Sequence, residues 1–124
     1  MLFRSLLSHD LQRNAAVTGE MIISGLRQAA AGLAIVGEVR GRGLMFAVDL
    51  VEPQGPAAGQ PSPPLAARML EATRERGLLI GKGGLYGHTL RMAPPLTLSE
   101  AEAKEGLALL TDALTAVNTE ATRP

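Results

Sequence analysis

The chain has 124 residues, which is enough for one domain with a buried core. Twelve basic residues balance twelve acidic ones, so the sequence lacks the excess positive charge of a nucleic-acid-binding domain. It has no cysteine for disulfides or thiolate metal sites, and no apolar run of about 18 residues, the length that a membrane span needs. We therefore expect a cytoplasmic protein without a metal site and without nucleic-acid or membrane partners.

The first half of the chain predicts one helix and two strands. Residues 1–10 form an uncertain N-terminal lead-in with no signal-peptide cleavage site. Apolar and small residues then recur at steps of three and four, which predicts a helix ended by Gly32: Leu11, Ala15, Thr18, Ile22, Leu26 and Ala29. Residues 33–39 and 44–51 are rich in valine, leucine and isoleucine and predict two strands, with a glycine-containing turn at residues 40–43.

The second half repeats this order. Residues 52–64 contain five prolines and two glycines, which indicates an irregular loop. A helix is predicted to start at Pro63 and Pro64 and to end at Gly77. A strand at residues 78–80, a glycine-rich loop at residues 81–87 and a strand at residues 88–93 follow. Ser99 and Glu102 then have the spacing of a capping box at the start of a last helix, and residues 119–124 are predicted to fray.

This order of elements predicts the fold class. Helix, two strands, helix, two strands and helix are typical of an α+β domain, with a small, mostly antiparallel sheet and the helices on one of its faces. We expect this domain to extend over residues 11–118.

The glycine-rich loop at residues 81–87 contains Lys82 and Tyr86 and has two interpretations. Glycines let backbone N–H groups approach a phosphate, but no serine or threonine follows Lys82 and the loop leads into a strand. The alternative is a turn that needs positive φ at several glycines. That interpretation explains the glycines but not the lysine and the tyrosine.

Arg91 stands within an apolar stretch, and it also has two interpretations. It is either a strand residue that faces solvent or a clamp for a carboxylate, because a guanidinium matches a carboxylate with two parallel hydrogen bonds. Arg40 and Arg42 are predicted to be solvated turn residues. His88 has no acidic neighbour in the sequence and is predicted to be an ordinary strand histidine. Neither lysine has a context that indicates Schiff-base chemistry, so no catalytic residue is predicted.

Three segments resemble class III pyridoxal-phosphate-dependent aminotransferases. Residues 79–87 read LIGKGGLYG, residues 90–96 read LRMAPPL, and residues 39–45 read VRGRGLM. The similarity is greatest to the branch of alanine–glyoxylate aminotransferases. It implies the C-terminal small domain of a fold-type I enzyme, in which Arg91 binds the α-carboxylate of the substrate or balances a carboxylate in the site. It also implies that Lys82, Gly83, Gly84 and Tyr86 lie near the substrate entrance.

The resemblance implies an activity that this chain does not have alone. The family transfers an amino group from an amino acid to a keto acid or aldehyde, works as a homodimer, and binds pyridoxal 5'-phosphate in a large domain that this chain lacks. The alternative is a free-standing α+β module that binds a ligand or regulates another protein. A fragment should show Arg91 on a bare, apolar face, whereas a free-standing module should close that face with its own first helix.

Overall fold

A computed structural model describes residues 11–78, 80–84, 87–95 and 97–123. The lead-in at residues 1–10 and Tyr86 lie outside the described residues. In chain order the elements are α1 (Leu11–Ala30), β1 (Val36–Arg42), β2 (Met45–Leu50), α2 (Pro63–Glu75), β3 (Gly81–Gly83), β4 (Thr89–Met92) and α3 (Glu100–Ala121). Over the described residues, no helix has the length and hydropathy that crossing a membrane requires.

The four strands form one sheet with the order β1-β2-β4-β3, and every neighbouring pair is antiparallel. One face of the sheet packs against all three helices. The shared core contains Phe46, Val48, Leu50 and Leu90 from the strands, with Ile22, Leu26, Met69, Leu114 and Val117 from the helices. The α+β class and the placement of the helices on one face are therefore confirmed.

The helix starts follow local capping signals. The hydroxyl of Ser62 accepts a hydrogen bond from the backbone N–H of Leu65, 3.4 Å away, at the start of α2. Ser99 and Glu102 form both halves of the predicted capping box, at 3.1 Å and 3.0 Å. α3 continues to Ala121, within the region predicted to fray, and Arg68 of α2 donates two hydrogen bonds to the carboxylate of Glu120 near its end.

The third strand differs from the prediction. It consists of Gly81–Gly83, whereas Leu78 and Ile80 lie outside any strand and pack, half-buried, against the core. The apolar residues therefore reflect packing of the connection that follows α2, and not a strand. The glycines of β3 carry no strand pattern, and they join the sheet by pairing with β4.

The first hairpin is tighter than predicted. Arg40 and Arg42 belong to β1, and the turn is confined to Gly43 and Leu44, with Gly43 at φ +57°. The predicted turn at residues 40–43 is therefore wrong in its first three residues, because the ladder between β1 and β2 extends to the pair Arg42–Met45. The helix before it ends at Ala30, and Gly32 two residues later does not have the positive φ of a glycine cap.

Helix α1 passes very close to this hairpin at Gly19. A Cβ atom built on Gly19 would overlap the carbonyl group of Gly43. A glycine within a helix costs about 1 kcal/mol of stability relative to alanine. The close approach explains why a glycine nevertheless stands at this position. Gly43 in turn adopts the left-handed conformation that glycine tolerates best.

Replacing Gly19 with alanine should therefore destabilise the fold. We expect Gly19→Ala to lower the free energy of unfolding by about 2 kcal/mol. The new Cβ would meet the backbone of Gly43, and neither the helix nor the hairpin backbone can move aside as easily as a side chain. Gly106→Ala in α3 is the matched control, since its Cβ would meet nothing within 4 Å, and it should stabilise by about 0.5–1 kcal/mol. Urea denaturation measures both, and equal effects of the two substitutions would contradict the close contact.

Candidate functional site on the helix-free face of the sheet

The face of the sheet that points away from the helices has a defined set of residues. Paired residues of antiparallel strands project to the same face, and successive residues alternate. Arg40, Ala47, Arg91 and Gly81 pair in one row across the four strands. Their neighbours along the strands, including Val48 and Leu90, are buried against the helices. We call the opposite surface the helix-free face, and it consists of Arg40, Arg42, Met45, Ala47, Asp49, Gly81, Gly83, Thr89, Arg91 and Ala93.

Arg91 is exposed on the helix-free face, and its side chain extends over strand β3. A Cβ built on Gly83 would lie 2.8 Å from Nε and 2.9 Å from Cζ of Arg91. Among the described residues, none forms a hydrogen bond or an ion pair with this guanidinium. Its planar set of donors is therefore open to a ligand that approaches from the helix-free face.

Arg40 is on the same face, but Asp49 neutralises it. Nη1 of Arg40 donates to Oδ2 of Asp49 at 2.6 Å, and the hydroxyl of Thr89 donates to Oδ1 at 2.7 Å. Nε2 of His88 lies 3.9 Å from Oδ1, so this histidine has the acidic neighbour that the sequence around it does not show. The contacts join β1, β2 and β4 on the helix-free face.

The environment of Asp49 lowers its pKa. Burial is the largest single influence and raises the pKa, but the hydrogen bonds from Arg40 and Thr89 and the electrostatic interactions with Arg40 and His88 together outweigh it. The hydrogen bond to Asp49 is also the main reason why the pKa of Arg40 is raised. Asp49 is therefore ionised at neutral pH and compensates Arg40, not Arg91.

The predicted site residues divide between the two faces. Gly83 lies beneath the guanidinium of Arg91, and Gly84 follows at φ +84°, next to Thr89. Lys82 pairs with Leu90, so its position belongs to the helix-covered side of the edge strand and not to the face of Arg91. Positive φ at Gly84 and Gly87 agrees with the turn interpretation of this segment.

The helix-free face forms a shallow concavity of about 490 Å³, a size that suits a small molecule. Arginines border it, and Met45, Ala47 and Ala93 contribute apolar surface. Met45, which is 72% exposed, is the large exposed hydrophobic side chain of this face within the described part of the chain. The face is thus bare, as expected for a fragment, but it is cationic and only partly apolar.

The residues of this chain do not fit the covalent attachment of pyridoxal phosphate. Lys104 forms a 3.2 Å ion pair with Glu100 on the solvent side of α3, and 66% of its side chain is exposed. Lys82 is exposed on the edge strand. A Schiff-base lysine needs desolvation or a neighbouring cation to lower its pKa, and neither lysine has such surroundings. The described residues also contain no cluster of three side chains able to hold a metal ion.

The hydrogen bond from Thr89 to Asp49 gives a testable pH dependence. In Thr89→Val the pKa of Asp49 should rise toward the ordinary value of about 3.9, because one donor to the carboxylate is lost. In the wild type, folding lowers the pKa of Asp49, so the ionised Asp49 stabilises the folded protein. This stabilisation is complete at a pH above the ordinary pKa of aspartate, and it is lost as the pH falls through the lowered pKa. Thr89→Val should lose about 1 kcal/mol at pH 7.

NMR titration of the Asp49 carboxyl carbon measures this pKa, and denaturation at pH 7 measures the stability. Thr115→Val is the matched control, since its hydroxyl bonds only a carbonyl oxygen one turn earlier in α3. It should leave the titration of Asp49 unchanged. An unaltered pKa in Thr89→Val would show that this hydroxyl does not hold the carboxylate.

Comparison with known proteins identifies the family. The model of the aminotransferase class-III family matches residues 2–114. The 5-aminovalerate aminotransferase DavT of Pseudomonas aeruginosa is 35% identical over 102 residues, which cover 82% of this chain and 23% of that protein. The mitochondrial alanine–glyoxylate aminotransferase 2 homolog 2 of Arabidopsis thaliana is 38% identical over 93 residues, which cover 75% of this chain and 19% of that protein.

Solved structures show the same fold. A phospholyase from Arthrobacter in complex with phosphoethanolamine has a TM-score of 0.85 and 35% identity, over 93% of this chain and 27% of that protein. A transaminase with L-alanine has a TM-score of 0.81 and 30% identity, over 98% of this chain and 27% of that protein. An amine transaminase from an uncultivated Pseudomonas species, in its PLP-bound form, has a TM-score of 0.73 and 33% identity, over 94% and 25%.

The chain thus spans about a fifth to a quarter of the length of these relatives. Its family match covers most of the 124 residues, and its fold agrees with that of the transaminases. The chain belongs to the class III aminotransferase family and corresponds to a fragment of its full-length members.

Proposed function

We propose that this chain is the C-terminal small domain of a pyridoxal-phosphate-dependent aminotransferase, and that Arg91 binds the carboxylate of the substrate. The observation that supports this function is the guanidinium of Arg91. It is exposed on the helix-free face, and none of the described residues is bonded to it. The domain would form one wall of the active site.

The position of Arg91 suits a carboxylate clamp. β4 lies between β2 and β3, so hydrogen-bonded strands on both sides fix the backbone of Arg91. Pro94 and Pro95 follow the strand and further restrict the backbone there. Two parallel hydrogen bonds from a guanidinium fix the orientation of a carboxylate, and partial exclusion of water strengthens them.

The remaining region of the full-length protein would cover the helix-free face and bind pyridoxal phosphate. This follows from the share of the relatives that the chain spans and from the lysines, which lack the surroundings of a Schiff-base residue. The fragment would therefore be inactive alone. α1 packs with the other helices and leaves the helix-free face open, which argues against a free-standing module. The homodimer and the cytoplasmic location stay predictions.

An amino acid is the substrate class that we favour, with a keto acid or aldehyde as acceptor. The Arthrobacter phospholyase supports a second candidate, because its structure contains phosphoethanolamine and matches this chain with a TM-score of 0.85. A guanidinium also binds phosphate with two parallel hydrogen bonds. The two candidates share an anionic group at Arg91 and differ in the bond that is broken.

Arg91→Lys in the full-length protein tests the role of Arg91. We expect KM for alanine to rise roughly tenfold to hundredfold, because lysine cannot form the two parallel hydrogen bonds. Isopropylamine has the size of alanine with a methyl group in place of the carboxylate, and its KM should not rise. Steady-state kinetics with both donors and a keto acid acceptor measure the effect.

Arg74→Lys is the matched control, because Arg74 lies on α2 with 70% of its side chain exposed, and its kinetics should equal those of the wild type. Unchanged kinetics of Arg91→Lys with alanine would remove Arg91 from the site. Release of phosphate from phosphoethanolamine without amino transfer from alanine would favour the second candidate.

A further inference from the structure

The outward positions of the edge strand β3 are both glycines. Gly81 pairs with Arg91 and Gly83 pairs with Thr89, so each projects toward the helix-free face. Lys82 between them belongs to the other side. The outer surface of β3 therefore has no side chains, and the side chain of Arg91 extends from β4 onto this surface.

The space above Gly83 is occupied by the guanidinium group itself. A Cβ at residue 83 would lie 2.8 Å from Nε, 2.9 Å from Cζ and 3.2 Å from Cδ of Arg91. The distances to Nε and Cζ are shorter than real Cβ contacts, so an alanine there would force the guanidinium to move. At Gly81 the nearest atom to such a Cβ is the Arg91 carbonyl oxygen, at 3.9 Å, which is an ordinary contact.

The other charges on the helix-free face do not compete with this position of the guanidinium. Arg40 lies in the row of Arg91 on the far side of Ala47, about 10 Å away at the backbone, since neighbouring strands are about 4.8 Å apart. Arg40 is held by Asp49 at 2.6 Å. The side chain of Arg91 extends in the opposite direction, over glycines that offer no steric obstacle and no competing charge.

We infer that Gly83 is a positioning residue for substrate binding, since it leaves the space in which the guanidinium of Arg91 lies when it receives the substrate's acid group. This inference rests on the proposed function of Arg91. Arginine has a long side chain with many rotamers, so the space left open beneath it determines which orientations the guanidinium can take and contributes to the precision of the site. A shift of about 1 Å in a binding group can cost up to roughly a hundredfold in rate.

Gly83→Ala in the full-length protein separates this role from a structural one. Gly83 is not at positive φ, and the atoms that a Cβ would meet belong to the end of a flexible side chain, so the variant should fold. We expect KM for alanine to rise roughly tenfold, whereas KM for isopropylamine stays unchanged. Gly81→Ala, in the same strand, should have a much smaller effect on KM for alanine.

A double-mutant cycle with Arg91→Leu identifies the residue through which Gly83 acts. When the guanidinium is removed, Gly83→Ala should cause no further rise in KM for alanine, because coupled residues are not additive. NMR gives a readout that does not depend on activity, since the Nε–Hε resonance of Arg91 should shift in Gly83→Ala and much less in Gly81→Ala.

Two results would overturn the inference while the proposed function stands. One is an unchanged KM for alanine in Gly83→Ala when Arg91→Leu raises it. The other is an equal loss with alanine and isopropylamine, which would indicate a general structural defect. A normal KM for alanine in Arg91→Leu would instead overturn the proposed function, and the inference with it.

Discussion

The site depends on the alternation of side chains along strand β2. Phe46, Val48 and Leu50 point into the core, where the three helices bury them, so the register of the sheet is fixed by the hydrophobic effect. A slip of one residue would expose these side chains and bury Asp49. Because the register is fixed, the residues between them lie on the helix-free face, and the pairing of β2 with β1 and β4 aligns Arg40 and Arg91 beside Ala47.

Charge compensation then distinguishes two arginines that the strands present in the same way. Asp49 accepts hydrogen bonds from Arg40 and Thr89 and lies near His88. Its negative charge therefore balances the charge of Arg40 in β1. Arg91 has no such partner among the described residues. An arginine that is paired within the fold joins the strands, whereas one that is left open can bind an anion. Two arginines on one face thus have different surroundings, because the carboxylates of Asp49 and Glu38 both lie near Arg40.

The sequence predicts the parts of this structure that depend on local signals. Ser99 and Glu102 form a capping box within four residues, and the alternation in β2 is visible without any partner strand. Strand β3 has no such signal, because glycines have no side chains to alternate, and only its pairing with β4 makes it a strand. The acidic neighbour of His88 was missed for the same reason, since Asp49 comes from another strand.

Arg91 shows the limit of this kind of prediction. Its type and position in an apolar strand allowed either a solvated residue or a carboxylate clamp, and the choice depends on what lies across the sheet. Alternation along β2 and β4 would have placed Asp49 and Arg91 on the same face of the sheet. It would not have shown that Asp49 pairs with Arg40 and leaves Arg91 open. The close contact with Gly83 depends on the path of a long side chain, which no sequence pattern specifies.

The comparisons with known proteins show the fold of this chain more closely than a particular reaction. The similar proteins described above include both aminotransferases and a phospholyase. A guanidinium on a rigid strand binds an acid group whichever bond is later broken, because it acts on the charge and shape of that group. If Arg91 binds an acid group as we propose, the choice of reaction depends on groups that the helix-free face does not contain.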